Sequence, residues 1–564
     1  MGSDMSEARA AVRCPICGQA AEPALFAESV GLEEVVMRTL VELHPDWQPS
    51  RGACPACVGR TLDALARTGV DLHRILSHHG TRSDHPQVAV QGNPALPVPL
   101  RLHANPLLRG AGVTLGMLDS GFYPHPDLTQ PTNRIRCLVD AMQEPPLEGA
   151  DFSLPEVRSW HGLMTSVVAA GNGWLSGGRY RGIASEAELV LARVGQPSMR
   201  IPDRDIERGL RWMLANYRRY GIRVLNISLG GDEEAATADN PLDRLAEALM
   251  AAGVLVVVAA GNAGQQYIVP PASAPAVLTV GGATDSNLLH AHLDHFTAWR
   301  SSFGPTRAGH AKPEVVAPSM LLAAPLLPGT RQIREAGRLA HLIRLDDAAL
   351  AAAHEDARRA LYLRSGALDR LDGPKIRALL SQRMARHNWL SGSYQFVDGT
   401  SVAAPVVSSI AVQVVEANPT LTPAAIKAIL LATAVPMQAV AGVKQGYGVV
   451  NPAAAVAAAL RAAGGPLANY PPSPQRTGRG ILFTYYNPRV TAVRLVGDFN
   501  GWFGAGYAFT RLGPGIFQFL LPPLPAGIYR YKFLLDDQTA VDDPETLDKT
   551  PDGYGEFNSR LWVP

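Results

Sequence analysis

Between residues 96 and 465 the chain repeats one pattern: short apolar runs separated by longer stretches with helical spacing. The runs include Val113–Leu118, Leu189–Val194, Val224–Ser228, Val254–Ala259 and Val277–Val280, and the helical stretches include Asp203–Arg218 and Pro241–Ala252. Unbroken apolar runs of this length predict strands buried on both faces, and helices between them predict parallel pairing. The expected architecture is an α/β domain, a parallel sheet flanked by helices. The pattern breaks at about 321–392, where Arg- and Ala-rich stretches near 331–345, 346–364 and 374–387 predict a helical insertion.

The two ends follow other patterns. Gly464–Thr477 is rich in Gly and Pro, including Pro471, Pro472 and Pro474, and predicts a linker over 466–477. Beyond it, 478–564 reads as short alternating strands with turn residues, which predicts a β-sandwich module. Residues 1–95 hold two cysteine pairs, helical stretches and a His-rich end at His78 and His79.

A chain of 564 residues exceeds what one core supports, in keeping with this division. With 47% hydrophobic and 18% charged residues it is an ordinary globular sequence. A formal net charge of +1 offers no electrostatic reason to expect nucleic acid or an anionic membrane as partner. The longest apolar run, Gly253–Ala260, is too short to cross a bilayer, and Met1–Val12 lacks the pattern of a secretory signal. Five cysteines, four of them in tight pairs, do not form a disulfide framework. A reducing, cytoplasmic location is the expectation, with unconventional export left open.

Several segments place reactive residue types where chemistry uses them. Leu115–Phe122 reads LGMLDSGF, an apolar strand ending in Asp119 and a small-residue turn. A carboxylate at the C-terminal end of a parallel strand stands where α/β folds assemble sites, although such an Asp also caps turns. His161–Gly162 opens LMTSVVAAG, small residues at helical spacing. Leu225–Gly231 reads LNISLGG, and Val256–Ala263 reads VVVAAGNA, a buried strand entering a Gly-Asn turn. Asn262 in that turn can aim its amide at a developing oxyanion, a contribution of about 3–4 kcal/mol in acyl transfer. Asp398–Pro405 reads DGTSVAAP and continues as the apolar helical stretch Val406–Glu416. Ser401 therefore stands at a helix N-terminus, which favours an adjacent anion. A plain N-cap is the alternative; the small Gly399, Ala403 and Ala404 weigh against it by leaving room for a substrate carbonyl.

In chain order, DSG, HG, SLGG, AAGN and GTSVAAP resemble the subtilisin family, whose catalytic residues also run Asp, His, Ser. SSFGP at Ser301–Pro305, KPEVVAPS at Lys312–Ser319 and GYGVVNPAAAV at Gly446–Val456 agree, and the resemblance covers about 300 of the 564 residues. It implies a serine endopeptidase in which Ser401 attacks the scissile carbonyl, His161 takes and returns the proton, and Asp119 orients the imidazole. Asn262 would bind the oxyanion together with the Ser401 backbone N–H. Ser228, Leu229 and Gly230 match the strand that pairs with extended substrate and walls the primary specificity pocket. Two departures stand out. Leu163, Met164 and Thr165 replace the usual residues after HG, a change expected to alter packing only. Asp127 in HPDL matches a family calcium ligand, yet Gly171–Gly182 lacks ligand spacing, so Ca²⁺ would rest on one carboxylate.

The flanks carry chemistry of their own. Cys14-Pro-Ile-Cys17 and Cys54-Pro-Ala-Cys57 supply four thiolates, the arrangement of a structural Zn²⁺ site, and resemble a zinc ribbon with a helical insertion at Leu32–Leu43. Glu28, Glu33, Glu34 and Glu42 deny that module a basic face, so protein recognition is expected of it. Val493–Trp502 reads VRLVGDFNGW, and with GIYRYKFLLDD and NSRLWV it resembles glycogen-binding modules of the AMP-activated kinase beta subunit and of branching enzymes. Trp502, Lys532 and Asn558 align with sugar contacts there. Gln538, Thr539 and Ala540 stand where a second platform aromatic is expected, so glycan binding and docking of a partner protein both stay open. The whole chain reads as an intracellular processing protease with regulated access to protein or peptide substrates. Peptide-maturing acyl transfer and a non-catalytic peptide-binding scaffold are the alternatives.

Overall fold

The computed structural model describes residues 95–564 apart from 232–239, 290–291, 503–505, 547 and 554–555; before residue 95 it describes only positions 12–14, 16–17, 20–21, 43–44, 46 and 57. The chain forms two compact units, Met1–Val90 and Gln91–Pro564. In the first, Val12–Arg13 and Ala20–Ala21 pair antiparallel around Cys14 and Cys17. Cys54 and nearly all of Leu32–Leu43 lie outside the described residues.

The larger unit is built on a nine-stranded sheet. Its strands are β1 (Thr114–Asp119), β2 (Ile135–Asp140), β3 (Leu147–Glu148), β4 (Glu188–Arg193), β5 (Ile222–Ile227), β6 (Leu255–Ala259), β7 (Leu278–Thr284), β8 (Thr297–Ala298) and β9 (Val315–Pro318). They lie in the order β8-β7-β6-β5-β1-β4-β2-β3, with β9 also paired to β7. All central pairings are parallel, and only the edges β3 and β8 run antiparallel. Every residue of β1 is buried, as a strand covered on both faces requires.

Helices α1 (Ser159–Ala170), α2 (Asp203–Tyr220) and α3 (Pro241–Ala252) connect the strands. In α2, Ile206, Leu210 and Met213 recur at helical spacing and are buried, and Gly221 ends the helix at φ +67°. The Asn240 side chain caps α3 by accepting the Leu242 N–H, and Pro241 occupies its first turn.

The 321–392 segment is a hairpin with a helical head. Strands β10 (Leu322–Pro325) and β11 (Tyr394–Val397) pair antiparallel. Between them lie α4 (Arg331–Arg344), α5 (Asp347–Ala352), α6 (His354–Ala360) and α7 (Gly373–Arg386). Thr330, Asp346 and Asp372 cap α4, α5 and α7. Their apolar faces close on a separate core that includes Leu339, Leu350, Ile376 and Leu380. Immediately after β11 comes α8 (Thr400–Ala417), an 18-residue helix buried almost throughout in the main core.

The C-terminal region holds two antiparallel sheets. One orders β12 (Gln475–Thr477), β13 (Gly480–Tyr486), β17 (Ile516–Leu521) and β16 (Thr510–Gly513). The other orders β15 (Tyr507–Ala508), β14 (Val493–Gly497), β18 (Gly527–Leu535), β21 (Phe557–Val563) and β20 (Lys549–Pro551), with β19 (Thr539–Val541) beside β18. Phe483 and Phe517 from the first meet Leu495, Tyr531 and Phe533 from the second in one shared core.

Candidate active site

The C-terminal ends of the central strands, α1 and α8 carry the motif residues, whose hydrogen bonds form two groups, Asp119 with His161 and the start of α8 with Ser228 and Asn262. Asp119 ends β1 and is 1% exposed. Its Oδ1 lies 2.7 Å from His161 Nδ1 and accepts the Ser120 N–H at 2.7 Å. The Thr165 hydroxyl donates to Oδ2 at 2.9 Å. A charged acceptor on one side fixes the imidazole as the Nδ1–H tautomer and leaves Nε2 as the basic atom. Burial lowers the basicity of His161, but the charge of Asp119 and its hydrogen bond outweigh this, so the pKa is raised above 6.5.

Ser401 is the second residue of α8. Its Oγ donates to the Ser228 carbonyl at 3.2 Å, and Ser228 Oγ returns a hydrogen bond to the Ser401 carbonyl at 3.1 Å. A χ1 rotation that breaks the first of these would release the hydroxyl for other acceptors. Asn226 and Ser408 extend the stitch: Asn226 Nδ2 donates to Ser228 Oγ and Ser408 Oγ to Asn226 Oδ1, both at 3.0 Å. The strand end Ser228–Gly230 is thus locked to the helix that presents Ser401.

Asn262 follows β6 and is exposed. Its Oδ1 accepts the Thr400 N–H at 3.0 Å and the Thr400 hydroxyl at 2.8 Å. With the carbonyl end held, Nδ2 remains as donor. A Cβ built on Gly399 would stand 3.5 Å from Asn262 Nδ2 and 3.7 Å from the Ser401 nitrogen, so both nitrogens border one small space. Gly399 adopts φ +132°, a conformation that L side chains rarely take, and keeps that space open. One N–H from the start of a buried helix and one side-chain amide beside it suit an oxyanion.

Leu229 and Gly230 continue from Ser228 and are half-buried. The Val269 side chain lies against Gly230: a Cβ there would come within 2.7 Å of Val269 Cγ2. The Gly231 N–H donates to the Pro270 carbonyl at 2.7 Å, tying the two segments together.

Sequence reasoning missed the parts played by Thr400 and Thr165. Thr400 sat in plain view inside GTSVAAP, but its partner Asn262 is 138 positions away. Leu163 and Met164 are buried and only pack, as expected. Thr165 does more than pack, because its hydroxyl reaches the Asp119 carboxylate. Its position four residues after His161, on the same helix face, was the available signal.

The donors around Asp127 do not fit a calcium ion. Its Oδ2 accepts the Tyr394 hydroxyl at 2.7 Å, and its Oδ1 accepts the Leu175 N–H at 3.1 Å. Arg134 donates to the Asp127 carbonyl at 2.7 Å, placing a cation at the same corner. A hard cation needs six to eight oxygens, and here one carboxylate is already engaged.

In the smaller unit, the sulfurs of Cys14, Cys17 and Cys57 all lie within 4.8 Å of one another, with 3.9 Å between Cys14 and Cys57. Three gathered thiols could hold a soft or borderline metal ion. In the C-terminal region Lys532 and Asn558 occupy neighbouring positions on β18 and β21, where Tyr531 pairs with Ser559. Both are 8% exposed, and Lys532 Nζ binds Asp552 at 2.8 Å. Trp502 sits nearby at the end of the turn after β14 and donates from Nε1 to Asp498, which also holds Arg530.

The Subtilase family model matches residues 110–450, and the chain belongs to that family. A carbohydrate-binding module 48 model, the isoamylase N-terminal domain, matches residues 469–551. The chain is 29% identical over 331 residues to serine protease AprX of Bacillus subtilis strain 168, covering 57% of this chain and 61% of AprX. It is 33% identical over 196 residues to subtilisin BL of Lederbergia lenta, covering 34% of this chain and 62% of that protein. The chain thus spans about three fifths of the length of these relatives. Among solved structures, a protease of Pseudoalteromonas arctica PAMC 21717 aligns at 21% identity with a TM-score of 0.43, covering 67% of this chain and all of that one.

Proposed function

We propose that the protein is a serine endopeptidase using Asp119, His161 and Ser401. The observation that carries this reading is the Asp119–His161 hydrogen bond of 2.7 Å, together with the two N–H groups that border Gly399. After a χ1 rotation, Ser401 Oγ attacks the scissile carbonyl while His161 Nε2 takes its proton, and Asp119 stabilises the resulting imidazolium. The carbonyl oxygen becomes an oxyanion and accepts from Asn262 Nδ2 and the Ser401 N–H. His161 then protonates the leaving amine, the C–N bond breaks, and water repeats the sequence on the acyl-enzyme. Ser228–Gly230 aligns an extended substrate backbone. Val269 against Gly230 narrows the adjoining pocket, so a small side chain precedes the cut.

The flanking parts extend the reading. Cys14, Cys17 and Cys57, with Cys54 as fourth ligand, would hold a structural zinc ion that organises the N-terminal unit. The C-terminal region is a docking module for a glycan or a partner protein near Trp502, and the substrates are intracellular proteins or peptides. The deciding experiment is labelling of the full chain by a fluorophosphonate probe together with proteomic cleavage profiling. Labelling and cleavage are expected in the parent chain and absent in Ser401→Ala. A parent chain that neither labels nor cleaves would overturn the proposal.

A further inference from the structure

The Thr165 hydroxyl carries one proton and has two acceptors within reach. Asp119 Oδ2 is 2.9 Å away and the Gly162 carbonyl 3.2 Å. That carbonyl already accepts the Ser166 hydroxyl at 2.7 Å. The carboxylate is nearer and charged, so the proton points to Asp119. Thr165 itself is fully buried, and water does not compete. The two carboxylate oxygens are then held from opposite sides, Oδ1 by His161 and Ser120 and Oδ2 by Thr165.

We propose that Thr165 is a positioning residue of the triad, whose hydroxyl fixes the Asp119 carboxylate and draws on its charge, and so sets how firmly Asp119 holds His161. This rests on the reading of Asp119, His161 and Ser401 as a triad. The charge acting on the imidazole is that of Asp119. The other charged groups around this corner pair among themselves: Glu156 with Arg158, and Arg193 with Glu156 at 3.6 Å and with Asp140 at 2.7 Å. A change at Thr165 therefore reaches His161 through Asp119. Without the hydroxyl, Oδ2 keeps its full charge, the imidazolium is held more strongly, and His161 loses its proton at higher pH.

The test compares the full chain with Thr165→Val, which removes the hydroxyl at nearly constant volume, and Thr165→Ser, which keeps it. Two readouts are followed against pH. One is the rate of inactivation by diisopropyl fluorophosphate. The other is the imidazole Cε1–H resonance that disappears in His161→Ala. Thr165→Val is expected to move both midpoints upward by roughly half to one pH unit, while Thr165→Ser stays with the parent. Unmoved midpoints in Thr165→Val, or an equal shift in Thr165→Ser, would reduce Thr165 to a packing residue. A parent chain inert to the fluorophosphate would instead sink the triad reading, and the resonance would still decide whether the hydroxyl acts on His161.

Discussion

Replacing Val269 by Gly should change which residue the protein accepts before the cut. In the structure, Val269 Cγ2 would stand only 2.7 Å from a Cβ built on Gly230, so the isopropyl group fills the space beside that wall. Val269→Gly removes three carbons from this space. At about 0.8 kcal/mol for each buried methylene, room for three more carbons is worth roughly 2 kcal/mol to a larger substrate side chain. That corresponds to roughly a 30-fold gain in kcat/KM for a Phe substrate relative to an Ala substrate. The assay measures kcat/KM on matched peptides that differ only at this residue, with fluorophosphonate labelling as a control for an intact Ser401. An unchanged Phe-to-Ala ratio in a variant that labels normally would refute the reasoning. It would mean that the substrate side chain lies elsewhere than against Gly230.

Other outcomes follow from buried polar contacts. Arg101 and Asp285 form a two-pronged ion pair at 2.6 and 2.8 Å with neither side chain exposed, so Arg101→Met should lower stability by about 3–5 kcal/mol in denaturant titration. Tyr394→Phe leaves Asp127 Oδ2 without its donor and should cost about 1–3 kcal/mol, while the calcium chelator EGTA should leave the melting temperature of the parent chain unchanged. Metal analysis of the purified chain should find one zinc ion per chain, lost in Cys14→Ser. Because Asp119 raises the pKa of His161 above 6.5, and only the neutral imidazole accepts a proton, activity should fall as pH drops through a midpoint above 6.5.

The sequence made the sheet legible because its strands are buried on both faces. TLGMLD at β1 and LVVVA at β6 are apolar runs that end where catalytic residue types begin. The helical insertion was legible for a related reason, since α4, α5 and α7 carry their own caps and the insertion closes its own apolar core. What the sequence concealed are contacts between distant positions. Tyr394 and Asp127 are 267 positions apart, and no local pattern announces that a tyrosine at the base of the insertion takes up the carboxylate. Val269 against Gly230 is hidden likewise. Thr165 was hidden differently: a helical threonine can satisfy its hydroxyl on its own backbone, and only the geometry shows the carboxylate to be the nearer acceptor.

The same distinction explains the C-terminal region. Its composition suggested a module on a Gly- and Pro-rich tether, because Gly464–Thr477 read locally offers no core to join. Yet Leu467 and Ser473 in that segment are buried, and Arg461 before it pairs with Glu545 of the module at 2.6 Å. Leu107, from the segment that leads into β1, packs on the module core, and the His103 ring meets Phe557 at 4.4 Å. Arg489 joins Glu186 at 2.7 Å and Glu416, on the helix that carries Ser401, at 3.1 Å. Apolar contacts and ion pairs therefore fasten the module to the protease fold at several places. A tethered domain samples many orientations, whereas one held at several points keeps a single orientation. A ligand bound near Trp502 would then be presented in one fixed relation to the strand ends that hold Asp119 and Asn262.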